Sequence, residues 1–288
     1  MAPTNGNAGQ PAIHRVLVVP FLEMDLAFAC DLHCRGCTHY SNYGLKGHVA
    51  FRQGGDWLRA WATRLIPETF SMLGGEPALN PDLVAYLKLA QLLWPNARRI
   101  LISNGLGLAR RPDLLAAIAE TGTRLDVSVH SYRDFAYLER FNQALLAIEE
   151  ARLAHGFEMI LRTAEHSFTR TYRGEGPAMR PFADGSPEAS WEGCIGKLCR
   201  TLHDGRIWKC PPLAFLGKVA DRFGLRDVPE WQPYLAYQPI SVEATEAEMR
   251  DFFTREAETV CGMCPAQPQT FEQGDITKAW RPPADPAG

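Results

Sequence analysis

Three cysteines, Cys30, Cys34 and Cys37, stand in the run Cys30-Asp31-Leu32-His33-Cys34-Arg35-Gly36-Cys37 with C-x3-C-x2-C spacing. Iron–sulfur cubanes are usually held by four cysteine thiolates. A triplet on one short loop leaves one iron open to a ligand that is not protein. Zinc sites more often pair a C-x2-C with a histidine or a second such pair, and no second half follows closely here. Three buried structural thiols are the remaining reading. Five more cysteines, Cys194, Cys199, Cys210, Cys261 and Cys264, follow after a long cysteine-free interval. Two separate metal sites fit that distribution better than one framework.

The elements that must position these thiols read as alternating strands and helices. An apolar stretch from Val16 to Phe28 feeds the triplet as a buried strand feeds a loop. Asp56 can cap a short helix that buries Trp57, Trp61 and Leu65. Thr69 to Leu73 reads as a strand ending at Gly74-Gly75-Glu76-Pro77, and Asn80-Pro81 opens a helix running to about Trp94. Arg99 to Ser103 and Leu125 to Val129 read as strands ending in Asn104-Gly105 and His130. A helix starting at Pro112 closes at Gly122. Another runs from about Tyr137 to Gly156, and Glu158 to Thr163 is the next strand. Such alternation implies a parallel sheet, with its polar features at the C-terminal strand ends where α/β folds place active sites. Five or six units are too few for a closed eight-fold barrel. A partial, open barrel is expected.

Composition narrows the function classes. The 288-residue chain has a formal net charge of −3 and 22% charged residues, which gives no reason to expect a nucleic-acid or anionic-membrane partner. No apolar run approaches the roughly 20 residues that span a bilayer. The first ten residues lack the basic and apolar regions of a signal peptide. A cytoplasmic protein is expected, its cysteines serving metal rather than disulfides.

The cysteine triplet after the first strand, paired with Gly74-Gly75-Glu76-Pro77 after the second, resembles the radical S-adenosylmethionine (SAM) superfamily over roughly residues 15–165. The resemblance implies a partial (β/α)6 TIM-like barrel over residues 15–170. It implies a SAM-binding 4Fe–4S cluster on Cys30, Cys34 and Cys37, and an external electron donor such as flavodoxin or ferredoxin. In that family the reduced cluster cleaves SAM to a 5′-deoxyadenosyl radical, which abstracts hydrogen from substrate. The backbone of Gly74, Gly75 and Glu76 is then expected at the SAM ammonium. Ser103, Asn104, Ser128, His130 and Arg162 are expected at its ribose and carboxylate. One departure is visible: the residue before the third cysteine, commonly aromatic in the family, is Gly36. Tyr40 is the candidate to cover the adenine instead.

The later cysteines resemble the auxiliary-cluster extension called SPASM, or its shortened twitch form, over residues 191–270. Residues 1–14 read as a disordered tail, 171–190 as a linker and 271–288 as a Pro-rich tail. A second 4Fe–4S cluster needs four ligands, and five cysteines are present. The spacing to the turn glycine in Cys194 to Cys210 favours Cys194 as a ligand. A hairpin turn at Asp204-Gly205 sets Cys199 across from Cys210 and favours Cys199. Both stay open, as does zinc on Cys210, Cys261 and Cys264. The spare thiol is either buried structure or a hydrogen donor to a substrate radical.

Twitch-type relatives include aminocyclitol dehydrogenases, sugar epimerases and peptide-modifying enzymes. The first strand starts by about residue 15, which leaves no room for the leader-recognition domain that peptide-modifying members often carry. The polar loop Thr38 to Tyr43 suits a carbohydrate, aminocyclitol or aminoglycoside. Glu165 and His166 are candidate substrate contacts or a base for a hydroxyl proton. A peptide substrate, or a non-catalytic iron–sulfur or zinc protein, are the alternatives.

Overall fold

The computed structural model describes residues 16–164, 168–270 and 273–280. Four strand–helix units and a fifth strand come first: β1 (Leu17–Ala27), α1 (Phe51–Ala62), β2 (Leu65–Gly74), α2 (Leu83–Leu93), β3 (Arg98–Ser103), α3 (Pro112–Glu120), β4 (Arg124–Val129), α4 (Phe135–His155) and β5 (Met159–Thr163). The C-terminal part adds α5 (Pro187–Glu192), β6 (Thr201–His203), β7 (Arg206–Trp208), α6 (Pro211–Phe223), α7 (Gln232–Leu235) and α8 (Glu246–Thr254). All seven strands share one sheet in the order β5-β4-β3-β2-β1-β6-β7. Strands β1 to β5 pair in parallel, β6 joins parallel to β1, and β7 returns antiparallel.

This is the expected partial TIM-like barrel, with one feature of topology that spacing did not reveal. The sixth parallel place is filled by the first strand of the C-terminal hairpin, docked beside β1 through Glu23↔Thr201 and Met24↔Leu202. The hairpin itself turns at Asp204-Gly205, whose φ values of 50° and 73° suit a tight two-residue turn. Its register, Thr201↔Trp208 and Leu202↔Ile207, is the one the turn position implies.

Local sequence accounts for most boundaries. Pro112 starts α3, and Asp134 caps α4 by accepting from Tyr137 N. Gly156 ends α4 at φ 75°. Thr245 and Glu248 form the expected capping box on α8. Two starts differ from expectation, the first for a long-range reason. Helix α1 begins at Phe51, not near Asp56, because Asp82 Oδ2 accepts from Phe51 N across the fold at 2.9 Å. Helix α2 starts at Leu83 and not at Pro81, although Asn80 Oδ1 accepts from Asp82 N at 2.8 Å as a cap would; the amide of Asn80 donates to Leu26 O and Val49 O at 2.8 and 3.0 Å.

The core lies between the sheet and α1 to α4, with Leu22, Met24, Leu26, Trp61, Phe70, Tyr86 and Leu101 all but fully buried. A second cluster forms around α6 from Tyr40, Tyr43, Tyr172, Met179, Phe215 and Trp231. It draws in the stretch expected as a linker. Arg173 and Arg180 pair through their backbones, Phe182 N donates to Met263 O, and Trp231 Nε1 donates to Met179 O at 3.1 Å. The expected loose tail is also docked where it is described. Ile276 is buried, its carbonyl accepts from His33 N at 2.7 Å, and Trp280 packs edge-on against Tyr43 and Phe223. These contacts come from apolar anchors in Pro-rich chain, which composition alone does not single out. Among the described residues no helix is long and apolar enough to cross a membrane.

Candidate active site

The triplet loop leaves β1 at its C-terminal end, beside the end of β2. Gly74 and Gly75 permit that approach. A Cβ on Gly74, at φ 147°, would lie 2.4 Å from Ala27 O, and one on Gly75 would lie 2.2 Å from Ala29 O. Gly75 N and Glu76 N donate to those two carbonyls at 2.7 and 2.8 Å. An ammonium is itself a donor, so any ligand ammonium here must be met by carbonyl oxygens of this turn.

The Glu76 side chain is committed internally. It is fully buried and accepts from Ser103 Oγ, Asn104 N and Ala78 N at 2.8, 2.8 and 2.9 Å. Burial and Asp31 still push its carboxyl up to about 7. Asn104 Nδ2 donates to Asp31 Oδ1 at 2.6 Å and lies 3.9 Å from Cys30 Sγ. Ser103 and Asn104 therefore brace the two strand ends behind the triplet.

All eight thiols are free. Burial pushes Cys30 and Cys34 well above the usual thiol range. Cys37 is lowered despite its burial, because His39 hydrogen-bonds it. Cys34 Sγ lies 3.4 Å from His130 Nδ1, and burial drives that imidazole down to about 4. Buried thiols this close together, without disulfides, form a soft donor set that suits iron.

The second cysteine group shows which thiols gather. Cys264 feels the charge of Cys210, Cys194 and Cys261, Cys210 that of Cys194 and Cys261, and Cys261 that of Cys194. Cys199 likewise feels Cys194 and Cys210, and its thiol also hydrogen-bonds Glu23. Burial raises Cys199 first, with Glu23 adding to it. Burial likewise pushes Cys210 up to about 12 and raises Cys261 and Cys264.

Between the two groups lies a cavity of about 780 Å³ on the inner face of the sheet. Glu23, Ser71, Arg124, Asp126, Ser128 and Arg162 supply polar walls from β1, β2, β4 and β5, and Leu73, Ile100, Ile102 and Ile160 supply apolar ones. Cys194, Cys199, Cys210 and Cys264 close one side, and Thr38 and His39 follow the triplet loop into it. Arg124 holds Asp126 with bonds of 2.7 and 3.1 Å, while Arg162 reaches it only at 3.8 Å.

Of the residues named from sequence, Ser128, Arg162, Cys194, Cys199, Cys210 and Cys264 line this cavity. Tyr40, named as an adenine cover, does not. It is fully buried, donates to Pro212 O at 3.3 Å and packs on Tyr172, because the second core claims its ring. Glu165 and His166 lie outside the described residues.

Sequence reasoning missed Glu23, Asp25 and Asp126. A signal was present: carboxylates two apart in an apolar strand share one face, opposite Leu22, Met24 and Leu26. His39 Nε2 lies 3.1 Å from Asp25 Oδ1. Burial works against the His39 charge, but Asp25 and Cys37 outweigh it and bring the imidazole to about 10. Burial raises Asp25 to about 6, and burial with Asp25 beside it raises Glu23 to about 7.

Residues 25–167 match the radical SAM superfamily, so the chain carries a radical SAM domain. Such a domain implies SAM and a 4Fe–4S cluster as cofactors, and an external reductant. No curated protein matches the chain by sequence. Among solved structures, it is similar to BtrN in complex with AdoMet and 2-DOIA, with 14% identity, 84% of each chain covered and a TM-score of 0.47. Similarity also extends to anSMEcpe with bound AdoMet and Cp18Cys peptide, at 18% identity, 49% of this chain, 42% of the other and a TM-score of 0.37. SuiB of Streptococcus suis bound to precursor peptide SuiA shares 15% identity over 57% of this chain and 44% of its own, with a TM-score of 0.29.

Proposed function

We propose that the chain is a radical SAM enzyme that oxidises or epimerises a polar small molecule of carbohydrate, aminocyclitol or aminoglycoside type. The observation that carries this reading is the cavity of about 780 Å³ between the two cysteine groups, with both charged and apolar walls.

Cys30, Cys34 and Cys37 would hold the cluster that binds SAM, and Cys194, Cys210, Cys261 and Cys264 a second 4Fe–4S cluster. With SAM bound, the first supplies a 5′-deoxyadenosyl radical for hydrogen abstraction, and the second is a one-electron acceptor. The chain's own residues do the rest. Gly74 and Gly75 let the SAM-side turn approach β1, and the Glu76 clamp keeps it rigid. Ser128 and Arg162 face the cavity where a ribose and a carboxylate need a hydroxyl and a bidentate cation. Leu73, Ile100, Ile102 and Ile160 keep water from a reactive site.

The place of Cys199 supports the epimerisation branch. It lines the cavity near Cys194 and Cys210, and its thiol is the one hydrogen-bonded to Glu23. A thiol hydrogen there is within the substrate space, whereas an oxidation would leave it unused.

The test is anaerobic turnover of the reconstituted, reduced protein with SAM and candidate polyols in deuterated water. Formation of 5′-deoxyadenosine supports the enzyme reading, and its absence with every substrate removes it. Mass spectrometry then separates the branches. Loss of two hydrogens from the polyol means oxidation, and deuterium uptake at unchanged oxidation state means epimerisation.

A further inference from the structure

Two carboxylates on the inner face of β1 have no place in the scheme above. Glu23 and Asp25 are each only 2% exposed. With His39 they bring three ligand atoms within 4.8 Å of one another. Neither Asp25 oxygen has a hydrogen-bond donor among the described residues, and its charge partner is the His39 imidazole. One imidazole balances at most one carboxylate, in whichever state it sits. Arg124 and Arg162, across the cavity, are turned to Asp126. Among the described residues Glu23 has no ion-pair partner of its own, and a buried carboxylate without one favours an approaching cation.

A second, independent feature lies beside it. Ser71 is the β2 partner of Glu23 in the sheet register, is fully buried and lines the cavity. Its Oγ has no hydrogen-bond partner among the described residues. Glu23 Oε1 already accepts from Thr201 Oγ1 at 2.9 Å, but a carboxylate has about four acceptor positions. The spare acceptors on Glu23 and Ser71 thus face the same space from adjacent strands. Neutral hydroxyls would satisfy the hydrogen bonds and leave the charge. An ammonium satisfies both, with three donors and one positive charge.

We propose that Glu23 and Ser71 seat a protonated amine of the substrate, so that the substrate is an aminated polyol rather than a neutral sugar. This rests on the reading of the cavity as the substrate site.

Equilibrium binding tests it without turnover. The reconstituted holoenzyme with SAM, and no reductant, is titrated calorimetrically with a 1,3-diaminocyclitol and with the cyclitol carrying hydroxyls in place of the amines. The diamine should bind more tightly. Glu23→Gln should weaken the diamine by about tenfold or more, the scale of a charge-assisted bond, and change the neutral cyclitol by less than about threefold. Circular dichroism and the visible cluster absorbance report whether Glu23→Gln stays folded and loaded. If it does not, Ser71→Ala carries the test, with a selective loss of about threefold or more for the diamine. Equal binding of the two cyclitols, binding of neither, or unchanged diamine affinity in the folded variant overturns the proposal. So does a stoichiometric Zn2+ site, beyond cluster iron, that is lost in Glu23→Gln. Formation of 5′-deoxyadenosine is read separately, so failure here leaves the radical SAM reading standing.

Discussion

Ser103 Oγ donates to Glu76 Oε1 at 2.8 Å, which ties the turn after β2 to the end of β3. Asn104 N and Ala78 N complete the set on the same carboxylate. The glutamate of the Gly-Gly-Glu-Pro turn is thus an inter-strand clamp whose side chain has little left for a ligand. Glu76→Ala would leave three buried donors unmet, at roughly 1–3 kcal/mol each. Denaturant unfolding of the anaerobic protein should show a loss of about 3 kcal/mol or more. A loss below about 1 kcal/mol would mean that water replaces the clamp.

Gly75→Ala tests the close approach of β2 to β1. Its Cβ would fall 2.2 Å from a backbone oxygen that cannot rotate away. The variant should lose SAM binding, measured by equilibrium dialysis, even where the triplet cluster still assembles. Affinity equal to wild type would show that the strand ends can separate.

Single alanine replacements sort the five C-terminal cysteines. Cys194, Cys210, Cys261 and Cys264 variants should retain about four irons per chain after reconstitution, and Cys199→Ala about eight, as for two cubanes. Iron analysis with Mössbauer spectroscopy reads the outcome. Four irons in Cys199→Ala together with eight in Cys194→Ala would exchange their roles.

His203 predicts a pH dependence of stability. Burial against Phe28 and Phe215, with Lys218 adding to it against Asp204, lowers its pKa from 6.5 to about 4. Between those values the unfolded chain binds a proton that the folded chain does not. The contribution is therefore complete above about pH 6.5 and lost as pH falls toward 4, at about 1.4 kcal/mol per pH unit. Unfolding of wild type and His203→Gln compared across that range isolates it, since acid loss of clusters is common to both. Parallel pH profiles would show that His203 charges inside the fold.

The segment 273–280 closes over the triplet loop through Ile276 and through Gln273, which exchanges two hydrogen bonds with the Arg35 backbone. Ile276→Ala removes a fully packed side chain, at about 2–5 kcal/mol. It should also speed the bleaching of cluster absorbance in air. Unchanged bleaching with lowered stability would limit the segment to a structural role.

Much of the molecule was legible because its determinants are local. Pro112, Asp134, Gly156 and the Thr245–Glu248 box act within a turn of the helices they bound. The Asp204-Gly205 turn sets a register that depends only on two positive φ angles. Where a distant residue decides, the sequence was silent. Asp82 moves the start of α1, and Asn80 spends its amide on two other segments. Glu23 and Asp25 were visible as a two-residue repeat in an apolar strand, but nothing in β1 said that β6 would bring Cys199 beside them.

The amino-acid sequence by itself determined the chemistry of the triplet. Three thiols within one loop are held together by chain connectivity, whatever the rest of the fold does. The sequence could not choose between Cys194 and Cys199, because both lie near Cys210 along the chain. What only the tertiary structure decided is the company of Cys199: docking the hairpin on β1 sets its thiol against Glu23, a contact that arises from strand pairing between residues nearly 180 positions apart.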